Sequence, residues 1–338
     1  MLVAQVGEFG LLDRLRAIVE KQDDTVLLGI GDDAAVVTYP HHVVMTTDAM
    51  VYGIHFREDL IGDVAIGYKA VVASLSDIAA MGAKPMHLLI TLAVSQTQEV
   101  EQLEAIYRGI KIACDRYDVT VIGGDIVSTP GPMMISVTAT GTLYAQQPLK
   151  RSGAKTDDLV FVTGDIGGSG AYIDYQKHHD RVVLSPEDID ALQRRHQEPT
   201  PQILAGELLA HFKGCTSTND ISDGLASELH EIAAASGVGI VIEADRLPIC
   251  PAVRHYCKRT QRDAESFALY GGEDYQIVGT VSPISAGALL AQAQAQGIRV
   301  SLIGRVIEDT PQVTLIDHGQ HHVIGKNGYD HFRQKEDE

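Results

Sequence analysis

The 338-residue chain carries 27 Lys and Arg against 45 Asp and Glu, a formal net charge of −18, and so lacks the basic footprint that nucleic-acid binding needs. Its 45% hydrophobic content, 32 glycines and lack of tryptophan describe a turn-rich α/β protein, and a chain this long favours two domains over one core. No run of about 18 apolar residues is present to span a membrane, the start lacks the pattern of a signal peptide, and Cys114, Cys215, Cys250 and Cys257 form no CxxC pair, so reduced thiols and a cytoplasmic location are expected.

In chain order, Leu11, Leu12, Leu15, Ile18 and Val19 share one face of a helix expected over 8–22. Strands are expected over 26–30 and 42–47. Asp63 is a plausible N-cap for a helix carrying Val64, Val71, Val72, Leu75, Ile78 and Ala79, stopped by Gly82 and Pro85. Asp77 then falls in its last turn, where the helix dipole disfavours an anion. A strand over 87–94, a helix over 99–117 and a strand over 119–122 follow, the last ending in Gly123-Gly124-Asp125. Residues 135–141 alternate as a half-exposed strand. The polar stretch 149–154 reads as an interdomain crossing. Beyond it come a strand over 159–163, helices near 167–177, 201–212 and 224–235, and strands near 239–243 and 275–281.

Carboxylates recur at the ends of apolar runs beside glycine, serine or threonine: Gly31-Asp32-Asp33-Ala34, Thr46-Thr47-Asp48, Leu75-Ser76-Asp77, Gly123-Gly124-Asp125 and Asp220-Ile221-Ser222-Asp223-Gly224. An ionised carboxylate at a core edge is costly without a compensating cation or donor, and oxygen-only ligation points to Mg²⁺, which usually arrives with phosphate. Each segment has a plainer reading. Gly29-Ile30-Gly31-Asp32-Asp33-Ala34 is a structural turn or one presenting Asp33 to a metal; its likeness to the dinucleotide fingerprint is rejected, because paired carboxylates would face a pyrophosphate. Thr46-Thr47-Asp48 is a strand-end turn or a set of metal-binding oxygens. Gly123-Gly124-Asp125 is a turn or a place where backbone approaches a ligand closely. Asp220 to Gly224 begins a helix, with Ser222 or Asp223 as its N-cap or with a phosphate at its N-terminus. Arg151 is a solvated arginine or a bidentate phosphate clamp. His55 is a core histidine or a substrate contact, and Gly271-Gly272-Glu273-Asp274-Tyr275 repeats the pairing of glycine turn and acid. No Walker A or EF-hand pattern is complete.

Taken in order, these segments resemble the bacterial thiamine-monophosphate kinase family, in the superfamily that includes aminoimidazole ribonucleotide synthetase. Gly7-Glu8-Phe9-Gly10-Leu11, Gly29 to Ala35, Thr46-Thr47-Asp48, Gly53-Ile54-His55-Phe56, Leu75 to Gly82, Tyr107-Arg108-Gly109, Val121 to Asp125, Arg151 to Ala154, Asp220 to Leu225, Gly271 to Tyr275 and Gly328 to Phe332 carry the likeness. It runs from residue 7 to 332. The Gly-Glu-Phe start, the His-Phe pair and the terminal aromatic-x-His-Phe are specific to the kinase family.

The resemblance implies an α/β (α+β) protein with an aminoimidazole ribonucleotide synthetase-like fold. Residues 1–147 would form an N-terminal metal-binding, ATP-binding and dimerisation domain, contributing strands to a barrel shared in a homodimer. Residues 148–338 would form a C-terminal α/β domain closing the ATP cleft. It implies several Mg²⁺ ions at Asp33, Thr46, Thr47, Asp48, Asp77, Asp125, Asp220 and Asp223, ATP at Tyr107, Gly124, Arg151 and Ser222, and thiamine monophosphate at His55, Glu273 and Tyr329. The implied reaction moves the γ-phosphate of ATP directly to thiamine monophosphate. The acceptor is already ionised near neutral pH, so no general base is required. Ile126, Gln202 and Gly279 depart from the family's usual pattern. Rival readings are a ligase or dikinase of the same superfamily and an inactive nucleotide-binding scaffold.

Overall fold

The computed structural model describes residues 1–30 and 34–328; the expected sites Asp33 and Tyr329 lie outside them. The chain divides into two compact units, Met1–Gln147 and Pro148–Glu338.

The first unit holds α1 (Val3–Val19), β1 (Val26–Leu28), β2 (Val36–Val37), β3 (Val43–Val51), α2 (Asp63–Ala80), β4 (Ala83–Val94), α3 (Val100–Tyr117), β5 (Thr120–Ser128) and β6 (Met134–Leu143). Its main sheet has the order β3-β6-β4-β5, antiparallel except for the β4–β5 pair. One face is covered by α2, whose Ser74 hydroxyl donates to the Val137 carbonyl at 3.0 Å. Helix α2 is apolar almost all round, with Val71, Val72, Leu75 and Ile78 fully buried, so it lies between the sheet and α3 rather than on the surface. Two glycines set that packing. A Cβ on Gly67 would stand 1.8 Å from the Ile106 carbonyl oxygen, and one on Gly109 would stand 1.7 Å from that of Val64. The helices therefore cross backbone to backbone.

Several element boundaries differ from expectation. Helix α1 starts at Val3 and bends at Gly7, where φ is +69°. Gly62 rather than Asp63 caps α2. Pro85 lies inside β4, at a register shift that spares the ladder its missing N–H. Strand β3 runs on to Val51, because its pairing with β6 continues through Asp48 and Val137 to Val51 and Met134. Thr46-Thr47-Asp48 is thus mid-strand and not a terminus. Likewise Gly123-Gly124-Asp125 sits inside β5, beyond a bulge opposite Leu88 and Leu89. Strand β6 is interior to the sheet; its burial alternates as expected from Met134 to Ala139 and is continuous from Thr140 onward.

Opposite α2, the segment around β1 and β2 folds over one end of the sheet through a chain of polar contacts. Asp23 accepts from the Thr120 and Thr25 hydroxyls, each at 2.6 Å. Having donated there, Thr25 Oγ1 accepts from His87 Nε2 at 2.7 Å, while the Tyr39 hydroxyl stands 3.0 Å from His87 Nδ1. Burial pushes the His87 pKa down against the pull of Asp23. Burial opposes ionisation of Asp23 too, but the bonds from Thr120 and Thr25 hold its pKa below the ordinary value.

The second unit contains β7 (Leu159–Thr163), α4 (Gly168–His178), α5 (Pro186–Gln197), α6 (Ile203–His211), β8 (Cys215–Asp220), α7 (Leu225–Ser236), β9 (Gly239–Glu243), α8 (Pro251–Thr260), α9 (Ala264–Tyr270), β10 (Ile277–Val281), α10 (Pro283–Ala295), β11 (Val300–Ile307), β12 (Val313–Asp317) and β13 (Gln320–Ile324). Its seven-stranded mixed sheet has the order β13-β12-β9-β11-β7-β10-β8, with β9 and β12 parallel. Both faces are covered, so β7 reads as an unbroken apolar run. Val160 and Val162 enter one core with Leu229, Ile232 and Ile303, while Phe161 enters another with Leu209 and Leu289. The departure at Gly279 has a local reason: a Cβ there would meet the Ser217 carbonyl at 2.4 Å and the Phe161 ring at 2.7 Å.

All four cysteines are free thiols. Among the described residues no helix is long and apolar enough to cross a membrane.

Gly109→Ala is expected to cost about 1–3 kcal/mol by overpacking the α2–α3 crossing, read from the denaturant midpoint. An unchanged midpoint would show that the crossing tolerates a side chain. A second outcome concerns pH. Because the folded pKa of His87 is depressed, its contribution is present above the unfolded value, near 6.5, and is lost as pH falls below it. Asp23 adds a further loss below its unfolded value, near 3.8. His87→Gln should therefore flatten the fall of the melting temperature between about pH 7 and pH 5; parallel curves for both proteins would exclude the mechanism.

Candidate active site

Side-chain alternation along the strands sorts the acids of the first unit. Thr46 and Asp48 face α2, and the Thr46 hydroxyl donates to Asp77 Oδ2 at 2.5 Å. That bond offsets the unfavourable position of Asp77 in the last turn of α2. Thr47 points to the opposite face, where its hydroxyl meets those of Ser136 and Thr138. Asp125 shares that face, since it pairs with Thr91, which pairs with Ser136. The structure thus joins Thr46, Asp48 and Asp77 on one side and places the side chains of Thr47 and Asp125 on the other. A shared contribution of the whole 46–48 triad to one point would have to draw on the Thr47 backbone carbonyl. Ile126 is buried and turned away from Asp125, so the hydroxyl missing there would not have stood beside that carboxylate.

Gly124 has a structural reason to be glycine. A Cβ there would stand 2.0 Å from the Ile90 carbonyl oxygen, so the close approach is to a neighbouring strand. Tyr107 is buried on α3, and burial drives its phenol pKa far above the ordinary value. His55 Nδ1 accepts the Val51 N–H at 3.0 Å, so the neutral imidazole carries its proton on Nε2.

In the second unit two loops lie side by side. Asp220 ends β8, and α7 begins only after Gly224, the N-cap, without a side-chain cap bond. Ser222 and Asp223 therefore do not cap the helix, contrary to the simpler expectation. The Glu273 N–H donates to the Ser222 carbonyl at 2.7 Å, and the Tyr275 N–H donates to that of Ile221 at 2.8 Å. Gly272 permits this contact, since a Cβ would stand 2.7 Å from the Ser222 oxygen. Glu273 and Tyr275 both hold left-handed backbone, with φ of +65° and +50°, the kind of strain that the surrounding structure must impose. Asp274 accepts the Gly167 N–H at 2.7 Å ahead of α4. Burial pushes its pKa up to about 7, against the pull of that bond and of Arg195. Glu273 Oε2 lies 3.3 Å from the Ser169 hydroxyl and 3.4 Å from Nδ1 of the buried His196.

Arg151 is exposed but anchored. Its Nε donates to Asn219 Oδ1 at 2.9 Å, and a terminal nitrogen pairs with Glu231 at 2.7 Å. Gln202, the third departure, is the N-cap residue of α6 and spends its amide on the Thr200 carbonyl.

Lys69, Asn219 and Glu228, all buried, are not among the sites expected from the sequence. Glu228 had a legible signal, a carboxylate on the apolar stripe of Leu225, Leu229 and Ile232. Lys69 likewise interrupts the apolar face of α2. Asn219 had none, being one polar residue in a polar strand.

Among the described residues no three His, Cys, Asp or Glu side chains are grouped closely enough to hold a metal alone. The oxygen donors still suit Mg²⁺, which takes one or two carboxylates and completes its shell with water and substrate phosphates. Asp77 with Thr46 and Asp48 offers such a partial set, as does the loop carrying Asp220 and Asp223.

Residues 31–143 match the family model of the AIR synthase related protein N-terminal domain, and residues 155–316 match that of its C-terminal domain. The fold is accordingly that of a two-domain AIR synthase related protein. Thiamine-monophosphate kinase of Bacillus subtilis is 38% identical over 312 residues, covering 91% of this chain and 94% of the relative. The crystal structure of thiamine-monophosphate kinase from Stenotrophomonas maltophilia superposes with a TM-score of 0.80 at 33% identity, over 92% of this chain and 96% of that one. AaThiL, solved complexed with AMPPCP and TMP, gives 0.75 at 32% identity, over 98% and 99%. This chain belongs to the thiamine-monophosphate kinase family.

Proposed function

We propose that the chain transfers the γ-phosphate of ATP to thiamine monophosphate, yielding ADP and thiamine diphosphate in the cytoplasm. Full-length kinship with thiamine-monophosphate kinases carries this reading. The central difficulty of the reaction is electrostatic, since two like charges about 4 Å apart repel by roughly 4 kcal/mol at an effective dielectric near 20.

In this reading Asp33, Thr46, Thr47, Asp48, Asp77, Asp125, Asp220 and Asp223 hold several Mg²⁺ ions. When bound, the ions neutralise phosphate charge and align the reacting groups. Thr46 orients the Asp77 carboxylate for that task. Tyr107, Gly124, Arg151 and Ser222 serve ATP, with Arg151 as a planar clamp on phosphate oxygens. His55, Glu273 and Tyr329 serve the acceptor, His55 as a donor through Nε2–H. The hydrogen bonds between the 220–224 and 271–275 loops give nucleotide and acceptor groups a common rigid base. Transfer is direct, with no phosphoenzyme.

The first unit, residues 1–147, also serves as a dimerisation domain, and residues 148–338 close over ATP. The nine-residue β3 is an edge strand of its sheet. The face opposite α2 leaves Val43, Met45, Leu89 and Val127 exposed. Such an edge and apolar face favour pairing with a second copy into a shared barrel.

Incubation with ATP, Mg²⁺ and thiamine monophosphate should yield ADP and thiamine diphosphate by mass spectrometry, with no label on the protein from γ-labelled ATP. Asp48→Asn should lower kcat by at least about 100-fold. ADP release without the diphosphate product, or a labelled protein, would contradict the scheme. Light scattering should give a dimer mass that Met45→Glu shifts toward monomer; a monomeric unmodified chain would rule out the shared barrel.

A further inference from the structure

A buried relay joins three of the residues assigned above to nucleotide and metal. Glu228, on α7, is 3% exposed, as is Asn219, on β8. Glu228 Oε1 accepts the Asp223 N–H at 3.2 Å and faces the Ser222 hydroxyl at 3.4 Å. Its other oxygen, Oε2, accepts from the Asn219 side-chain amide. Asn219 uses the opposite end of that amide to accept Arg151 Nε–H at 2.9 Å. The segment carrying Arg151 is tied to the same strand by the Thr218 N–H, which donates to the Lys150 carbonyl at 2.8 Å.

We infer that Glu228 and Asn219 are positioning residues for the phosphates of ATP, aiming the Arg151 guanidinium and the Ser222–Asp223 loop from one buried point. This rests on the reading that Arg151 and Ser222 contact ATP. A carboxylate and an amide are poor choices for filling a core, because each is costly to bury unless bonded. Among the described residues, every side-chain bond they make ends on a residue assigned to the nucleotide or its metal, or on the other member of the pair. An Nε–H held by Asn219 fixes the plane of the guanidinium fork. Glu231 engages one terminal nitrogen at 2.7 Å, and the rest of the fork is what a phosphate takes. A planar clamp whose plane is preset loses less freedom when it engages. Neither residue touches substrate, so their effect must pass through Arg151 and the loop.

The experiment is a steady-state double-mutant cycle on the full-length chain, with Asn219→Ala, Arg151→Ala, the pair, and Glu228→Gln. Asn219→Ala and Glu228→Gln should each raise the KM for ATP about tenfold, and the KM for thiamine monophosphate less than about twofold. In the Arg151→Ala background, Asn219→Ala should add less than about a further twofold. If Arg151→Ala raises the KM for ATP while Asn219→Ala and Glu228→Gln leave it unchanged, or if the Asn219 and Arg151 effects multiply independently, the relay is overturned and the clamp survives. If Arg151→Ala itself leaves ATP binding unchanged, the clamp reading falls and takes the relay with it. Should Asn219→Ala fail to fold, the isosteric Glu228→Gln decides by the same split, supported by direct titration with AMPPCP.

Discussion

A carboxylate removed from water must be met by donors, and this protein meets that demand at each junction that matters. Asp23 is held by Thr25 and Thr120 where the N-terminal segment crosses the sheet. Asp77 is held by Thr46 where α2 ends against β3. Glu228 is held by Asn219 and the Asp223 N–H, and Asp274 by the Gly167 N–H. Apart from the local bond between Asp23 and Thr25, these bonds join separate segments, so a satisfied carboxyl group also fixes their relative placement. In a chain of net charge −18, placement of negative groups is the main electrostatic problem of the fold, and an anion-transferring site compounds it.

Backbone geometry does the sorting within each unit. The pleat of the four-stranded sheet sends Thr46 and Asp48 toward α2 and Thr47 and Asp125 the other way. Gly67 and Gly109 bring α2 and α3 into backbone contact. In the second unit, backbone hydrogen bonds between the 220–224 and 271–275 loops do comparable work, and the left-handed conformations of Glu273 and Tyr275 record how tightly those loops are constrained.

The two units differ in how they carry these groups. In the first unit, Asp48 and Asp125 are carried on regular strands and Asp77 on a helix end. In the second unit, the polar groups sit on loops backed by a buried network. Strands hold a side chain by ladder pairing, while a loop needs specific bonds behind it. Glu228 supplies those bonds for Ser222 and Asp223, as His196 and Ser169 do for Glu273.

The amino-acid order by itself determined the helices around Leu11, Leu75 and Tyr107, because each repeats apolar residues at the period of its backbone, and the strand at Val160, whose short unbroken apolar run suits a strand covered on both faces. It also determined which carboxylates are out of place, since Asp77 in an apolar helix or Asp125 after two glycines is conspicuous before any fold is known. Strand ends were not legible: Thr46-Thr47-Asp48 interrupts an apolar pattern and looks like a terminus, yet pairing with β6 carries β3 on to Val51. Nor was the side of the sheet on which each acid falls, nor the spacing of Gly109 against Val64. Arg151 and Asn219 stand 68 residues apart, and only tertiary structure decided that they meet, because a hydrogen bond depends on distance in space and leaves no period along the chain.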